Sequence, residues 1–150
     1  MLTVDIERHC DSGSEPGNDE LERWARASWQ QSESAAEVAL VIIDQETMVD
    51  FNTRYRNRNK ATNVLSFPAG YRNEDGVLNL GDVLLCAPVI GHESREQNKR
   101  SCDHWAHMTV HGMLHLQGYD HVEHRDAEVM ENLEVNILDQ LGVADPYQGC

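Results

Sequence analysis

The run HGMLHLQGYDH, residues 111 to 121, places three imidazoles at intervals of four and then six residues. On a helix, His111 and His115 share a face and can reach the same ion. Gly118 can end that helix, because glycine tolerates the left-handed backbone such a stop requires. The chain then turns, and His121 can return as a third ligand. Three neutral imidazoles with a fourth position open to water describe a catalytic zinc site rather than a closed structural one. Zinc held this way brings the pKa of its water to about 7. The alternative is three histidines that merely pack or face solvent. A helix-ending glycine between the second and third argues for the metal.

The spacing is that of the metzincin proteases, HExxHxxGxxH, with one departure: Gly112 stands where those enzymes carry a glutamate as general base. The cage is expected without the protease base. His104, His107 and His111 fall at i, i+3 and i+7, so the two upstream histidines share the face of the first ligand. The favoured reading has them lining a helix–sheet interface and bonded to backbone; the other gives them a role beside the metal. Asp120 can orient a ligand imidazole, or accept hydrogen bonds from turn amides. His9, His92 and His124 have no comparable setting.

Charge adds a second clue. Twelve basic and 26 acidic side chains give a net charge of −14, which argues against broad nucleic-acid binding. Yet Phe51 to Asn73 contains no acid and carries Arg54, Arg56, Arg58, Lys60 and Arg72, which is +5 and leaves −19 for the rest. A basic segment on an acidic body makes a local anion site; a solvated basic helix end and loop is the plainer reading.

These residues need a frame to position them. The 150 residues are expected to form one domain, 1–150, with one core. Alternation predicts a strand over Leu2 to Glu7, and the apolar run EVALVIID predicts a central strand over Glu37 to Asp44. Further strands are expected at Thr62 to Phe67, stopped by Pro68, and at Leu78 to Cys86. Helices are expected over Asp19 to Gln31, Gln45 to about Asn57, Pro88 to about Asn98, Ser101 to Gln117, and Val122 to Leu141. The acids of the last helix read as a solvated face. The sum is an α+β fold, a single mixed sheet of about four strands covered by helices. No apolar run reaches the length of a membrane span, and MLTVDIERHC has no signal-like stretch. Four cysteines without a CxxC pair read as reduced thiols, so a cytoplasmic location without membrane partners is expected.

Four stretches together resemble the YbeY family of bacterial endoribonucleases: HWAHMTVHGMLHLQGYDH, TNVLSFP, NTRYR at Asn52 to Arg56, and GDVLLC at Gly81 to Cys86. The resemblance spans roughly residues 36 to 147. It implies a zincin-like fold with the metal-binding helix in the core and one zinc per chain on His111, His115 and His121. It implies hydrolysis of single-stranded RNA in 16S rRNA 3′-end maturation and ribosome quality control. The partners implied are ribosomal RNA, the small subunit and its assembly factors, with no DNA expected. The family's functional arginine falls on Arg56, whose fork can grip a phosphate with two hydrogen bonds. Arg58 and Lys60 would then steer the strand. One stretch departs from the family pattern: RNRNKATNVLSFP stands where RGKDKPTNVLSFP is usual, so Ala61 replaces a proline and an acid is missing. Two rivals remain on the residues alone. One is a zincin-type metallopeptidase; the other is a non-catalytic, zinc-stabilised ribosome assembly factor.

Overall fold

The computed structural model describes residues 1–11, 13, 15–31, 34–56, 61–120 and 123–147. Its elements follow in the order β1 (Leu2–Arg8), α1 (Asn18–Ser28), β2 (Ala36–Ile43), α2 (Gln45–Arg56), β3 (Val64–Arg72), β4 (Leu78–Cys86), α3 (Ala87–Glu96), α4 (Ser101–Leu116) and α5 (His124–Gln140). The four strands form one sheet in the order β1-β2-β4-β3. β1, β2 and β4 run parallel, and β3 returns antiparallel on β4 as an edge strand. This is the α+β mixed sheet expected.

Alternation along the strands assigns its two faces. Leu40, Ile42, Val83 and Leu85 point into the larger core with Trp24 and Trp105. Ile43, Leu84 and Cys86 point the other way, into a smaller cluster with Met48 of α2. Helix α4 lies on the larger side and packs against α1, α3, α5 and both strands of the β3–β4 hairpin. Its residues from His104 to Val110 are all buried, so it runs through the core rather than over it.

The crossing of α4 over the hairpin explains Gly112. A Cβ there would lie 2.5 Å from Val83 Cγ1 and 3.1 Å from Val64 Cγ2. The Ser66 hydroxyl donates to the Gly112 carbonyl at 2.9 Å, fastening helix to strand. Gly112 is therefore the contact point of α4 with the sheet.

Two boundaries differ from the sequence reading by more than two residues. β3 does not stop at Pro68 but continues to Arg72. Arg56 reaches the Ser66 carbonyl from outside the sheet, so residues 64, 66 and 68 turn their backbone polar groups to the free edge. Proline there costs no ladder hydrogen bond. Helix α1 ends at Ser28, three residues early, because Trp29 takes up extended backbone. The Gln117 side chain captures the groups this exposes, accepting from Gln30 N–H at 3.0 Å and donating to the Ser28 carbonyl at 2.8 Å.

Candidate metal centre and cleft

Helix α4 presents a row of histidines. Neighbouring rings along His104, His107, His111 and His115 have centroids 6.3, 6.2 and 4.6 Å apart. The row ends where the helix does. Gly118 adopts φ +96°, and Tyr119 N–H returns to the Leu114 carbonyl at 3.1 Å. This is the left-handed stop the sequence called for.

At the end of the row, His111 and His115 bring their Nε2 atoms to 3.1 Å. The other nitrogen of His111, Nδ1, donates to Glu134 Oε1. That fixes the tautomer: with its proton on Nδ1, His111 offers a bare Nε2, the form that ligates metals. His115 would ligate through its own Nε2 in the tautomer that carries the proton on Nδ1. Two imidazole nitrogens bound tetrahedrally at about 2.0–2.1 Å would stand about 3.3 Å apart, so this pair suits an ion.

Glu134 sits on α5 and is fully buried. Its Oε2 accepts from His107 Nε2 at 3.2 Å and from the Tyr147 hydroxyl. Burial pushes the carboxyl up, but the hydrogen bonds from His107, His111 and Tyr147 outweigh it and hold the group down at about 2. Burial, then the hydrogen bond to Glu134, raise the Tyr147 phenol above its ordinary value, so it remains a donor.

His107 and His104 depart from the expectation in two respects: they sit between helices rather than against the sheet, and among the described residues neither side chain bonds to backbone. His107 donates to Glu134, and His104 Nε2 donates to Glu93 Oε1 at 2.9 Å. They lie between α4 and its neighbouring helices, α5 and α3. In each ring the remaining Nδ1 is buried with no partner among the described residues. An imidazole that donates from Nε2 carries a lone pair at Nδ1, the cheaper group to leave unpaired. Glu93 also accepts from Asn63 Nδ2 at 3.1 Å, which ties the start of TNVLSFP to α3.

These groups border a cleft of about 840 Å³ lined by Arg56, Asn63, Ser66, Glu93, His111 and His115 among others. Arg56 closes α2 and donates from one Nη to the Ser66 carbonyl at 3.3 Å. Asp120 lies on the cleft wall beside Tyr119. His121, Arg58 and Lys60, named from the sequence, lie outside the described residues.

Two sets of described residues could hold a metal. One is the His111–His115 pair facing the cleft. The other is His107, His111 and Glu134, each offering an atom within 4.8 Å of the others'. In the second set both carboxylate oxygens and the contributing nitrogens are already spent on one another.

Glu134 and Tyr147 escaped the sequence reading. The acids of the last helix read from sequence as a solvated face; Glu134 is not on it. A trace existed, since Met130, Ile137 and Leu138 stand at i−4, i+3 and i+4 from Glu134 and are all buried.

Comparison with known proteins fits this geometry. The family profile described as Endoribonuclease YbeY matches residues 9–142. A curated Endoribonuclease YbeY from Cellvibrio japonicus is 46% identical over 145 residues, covering 96% of this chain and 82% of that one. Another from Methylococcus capsulatus is 44% identical over 150 residues, covering 99% and 97%. The solution structure of a Thermotoga maritima protein shares the fold, with a TM-score of 0.59 at 20% identity over 97% of this chain and 99% of that one. A histidine row on a buried helix, a cleft beside it and a match over nearly the whole chain place this protein in the endoribonuclease YbeY family, a family of nuclease hydrolases.

Proposed function

We propose that the protein is a zinc-dependent endoribonuclease directed at single-stranded RNA, acting in 16S rRNA 3′-end maturation and ribosome quality control. The observation that carries the reading is the His111–His115 pair. Its two Nε2 atoms converge at 3.1 Å on a cleft that Arg56 also lines, and a buried carboxylate fixes the His111 tautomer. His121 completes the donor set, and the whole domain, residues 1–150, serves this one reaction. The ion sits on this pair rather than among His107, His111 and Glu134, because only the pair has nitrogens facing space for a substrate.

Zinc on such a site supplies Lewis acidity toward a phosphoryl oxygen and lowers the pKa of water toward neutrality. The chain's own residues do the rest. One Arg56 N–H is held by the Ser66 carbonyl, which aims the guanidinium across the cleft. Its remaining donors grip non-bridging phosphate oxygens, where charge grows in the transition state. Arg58 and Lys60 draw the strand toward the cleft. Asp120 orients His121. The strand comes from ribosomal RNA, in the setting of the small subunit and its assembly factors in the cytoplasm.

A peptidase is disfavoured by Gly112. At the position of the protease base, even a Cβ would collide with Val83 and Val64. Incubation with labelled single-stranded RNA and with casein, each with and without a chelator, tests the reading. RNA cleavage that stops on chelation is expected. Casein cleavage, or RNA cleavage untouched by the chelator, would overturn it.

A further inference from the structure

The matched family segment ends at residue 142, yet the chain beyond it returns to the metal centre. Pro146 is held from the α3–α4 turn, its carbonyl accepting from Lys99 Nζ at 3.4 Å. Tyr147 N–H donates to its own neighbour's carboxylate, Asp145 Oδ1, at 2.8 Å, which shapes the local turn. From there the Tyr147 ring packs edge-on against His107, with centroids 5.4 Å apart. Its hydroxyl ends on Glu134 Oε2.

That contact is the last link of a chain of donors. Glu134 is fully buried and can only accept. Oε1 takes the His111 Nδ1 proton; Oε2 takes Tyr147 and His107. A buried carboxylate keeps one orientation only while its oxygens are satisfied, and its orientation sets that of His111. Without the phenol, Oε2 keeps, among the described residues, His107 alone, at 3.2 Å. The carboxylate can then turn, and His111 with it.

We propose that Tyr147 is a positioning residue of the metal centre, acting through Glu134 on His111. This rests on His111 and His115 as metal ligands. Tyr147 does not line the cleft; it holds the group that holds the ligand.

The test is zinc affinity, measured by competition with a chromophoric chelator on the full chain. Tyr147→Phe keeps the ring against His107 and removes only the hydroxyl. It should weaken zinc on the order of threefold to tenfold, below the ten- to hundredfold typical of losing a group that bonds a ligand directly. In a Glu134→Gln background the same change should cost nothing more, because the link it acts through is gone. A merely structural phenol would cost the same in both backgrounds, and that result overturns the proposal, as does an unchanged affinity in the otherwise native chain. Should Glu134→Gln fail to fold, the His111 Nδ1–H proton resonance of chelator-treated Tyr147→Phe protein decides. It shifts from its wild-type position if Tyr147 positions Glu134; an unmoved resonance overturns the idea. His115→Ala serves as the reference. If that variant keeps wild-type zinc affinity, the ligand reading fails, and the role of Tyr147 fails with it. If His115→Ala loses zinc while Tyr147→Phe does not, only the role of Tyr147 fails.

Discussion

At the scale of single residues, Arg56 carries the sharpest expectation. Its guanidinium is anchored to the edge strand and lines the same cleft as the two histidines. Arg56→Ala should leave fold and zinc content intact and slow turnover on single-stranded RNA by about a hundredfold or more, the usual cost of losing a donor to developing charge. Arg56→Lys should rescue poorly, since an ammonium cannot make the two-pronged contact. Wild-type turnover by Arg56→Ala would remove it from the reaction. What the sequence offers at this scale divides by distance along the chain. His111 and His115 were legible because i and i+4 meet on any helix. Gly118 was legible because a positive φ has few other hosts. Glu134 was not, because its partner His111 lies 23 residues away on another helix. Only its place in an apolar stripe marked it.

Elements were read correctly where local pattern decides and misread where a neighbour does. The alternation and apolar runs gave all four strands and the helices between them. Pro68 misled because its cost depends on being in an edge strand, which no local pattern reveals. The end of α1 misled because Gln117, just past the end of α4, satisfies the broken turn. Gly112 shows the same dependence. In an isolated helix, alanine at this position would gain about 1 kcal/mol over glycine. Here its Cβ would press on Val83 Cγ1 at 2.5 Å, a stiff β-branched neighbour. Overpacking of this kind costs about 1–3 kcal/mol. Gly112→Ala should therefore lower the melting temperature, by about 2–4 °C for each net kcal/mol in a chain of this size. Scanning calorimetry reads the sign directly, and a raised melting temperature would show that α4 does not press on the hairpin there.

At the scale of the whole molecule, two buried pairings each contribute a step to the response to acid. Burial holds the His104 imidazole below its ordinary 6.5, outweighing the raising effect of Glu93. The unfolded chain takes up that proton near 6.5 while the folded chain resists. This stability is present above about 6.5 and is lost as the pH falls from there through the lower folded value. Glu134 adds a second window. Its carboxyl, ordinarily 4.5, is held at about 2, so stability present above 4.5 is lost between 4.5 and about 2. Chelator-treated protein should melt progressively lower in both windows. His104→Gln, which can still donate to Glu93 but does not titrate there, should flatten the first; an unchanged slope would place the effect elsewhere. Charge distribution gives another test. With +5 between Phe51 and Asn73 on a chain of net −14, binding of single-stranded RNA should fall steeply with salt. Arg58→Ala should reduce the magnitude of the slope by about 0.7, the share of one phosphate contact on a single strand. An unaltered slope would remove Arg58 from the RNA path.

The proposed function requires metal ligation by α4 serving RNA cleavage in the cleft beside it. Turnover on labelled single-stranded RNA by His115→Ala protein supplied with zinc, read beside the wild type, tests this requirement. Loss of His115 removes one of the two converging nitrogens and leaves the core intact, for the side chain borders the cleft and is only partly buried. The predicted result is a folded variant that binds less than the one zinc per chain expected of the wild type and no longer cleaves RNA. A folded His115→Ala protein that cleaves RNA at the wild-type rate would contradict it.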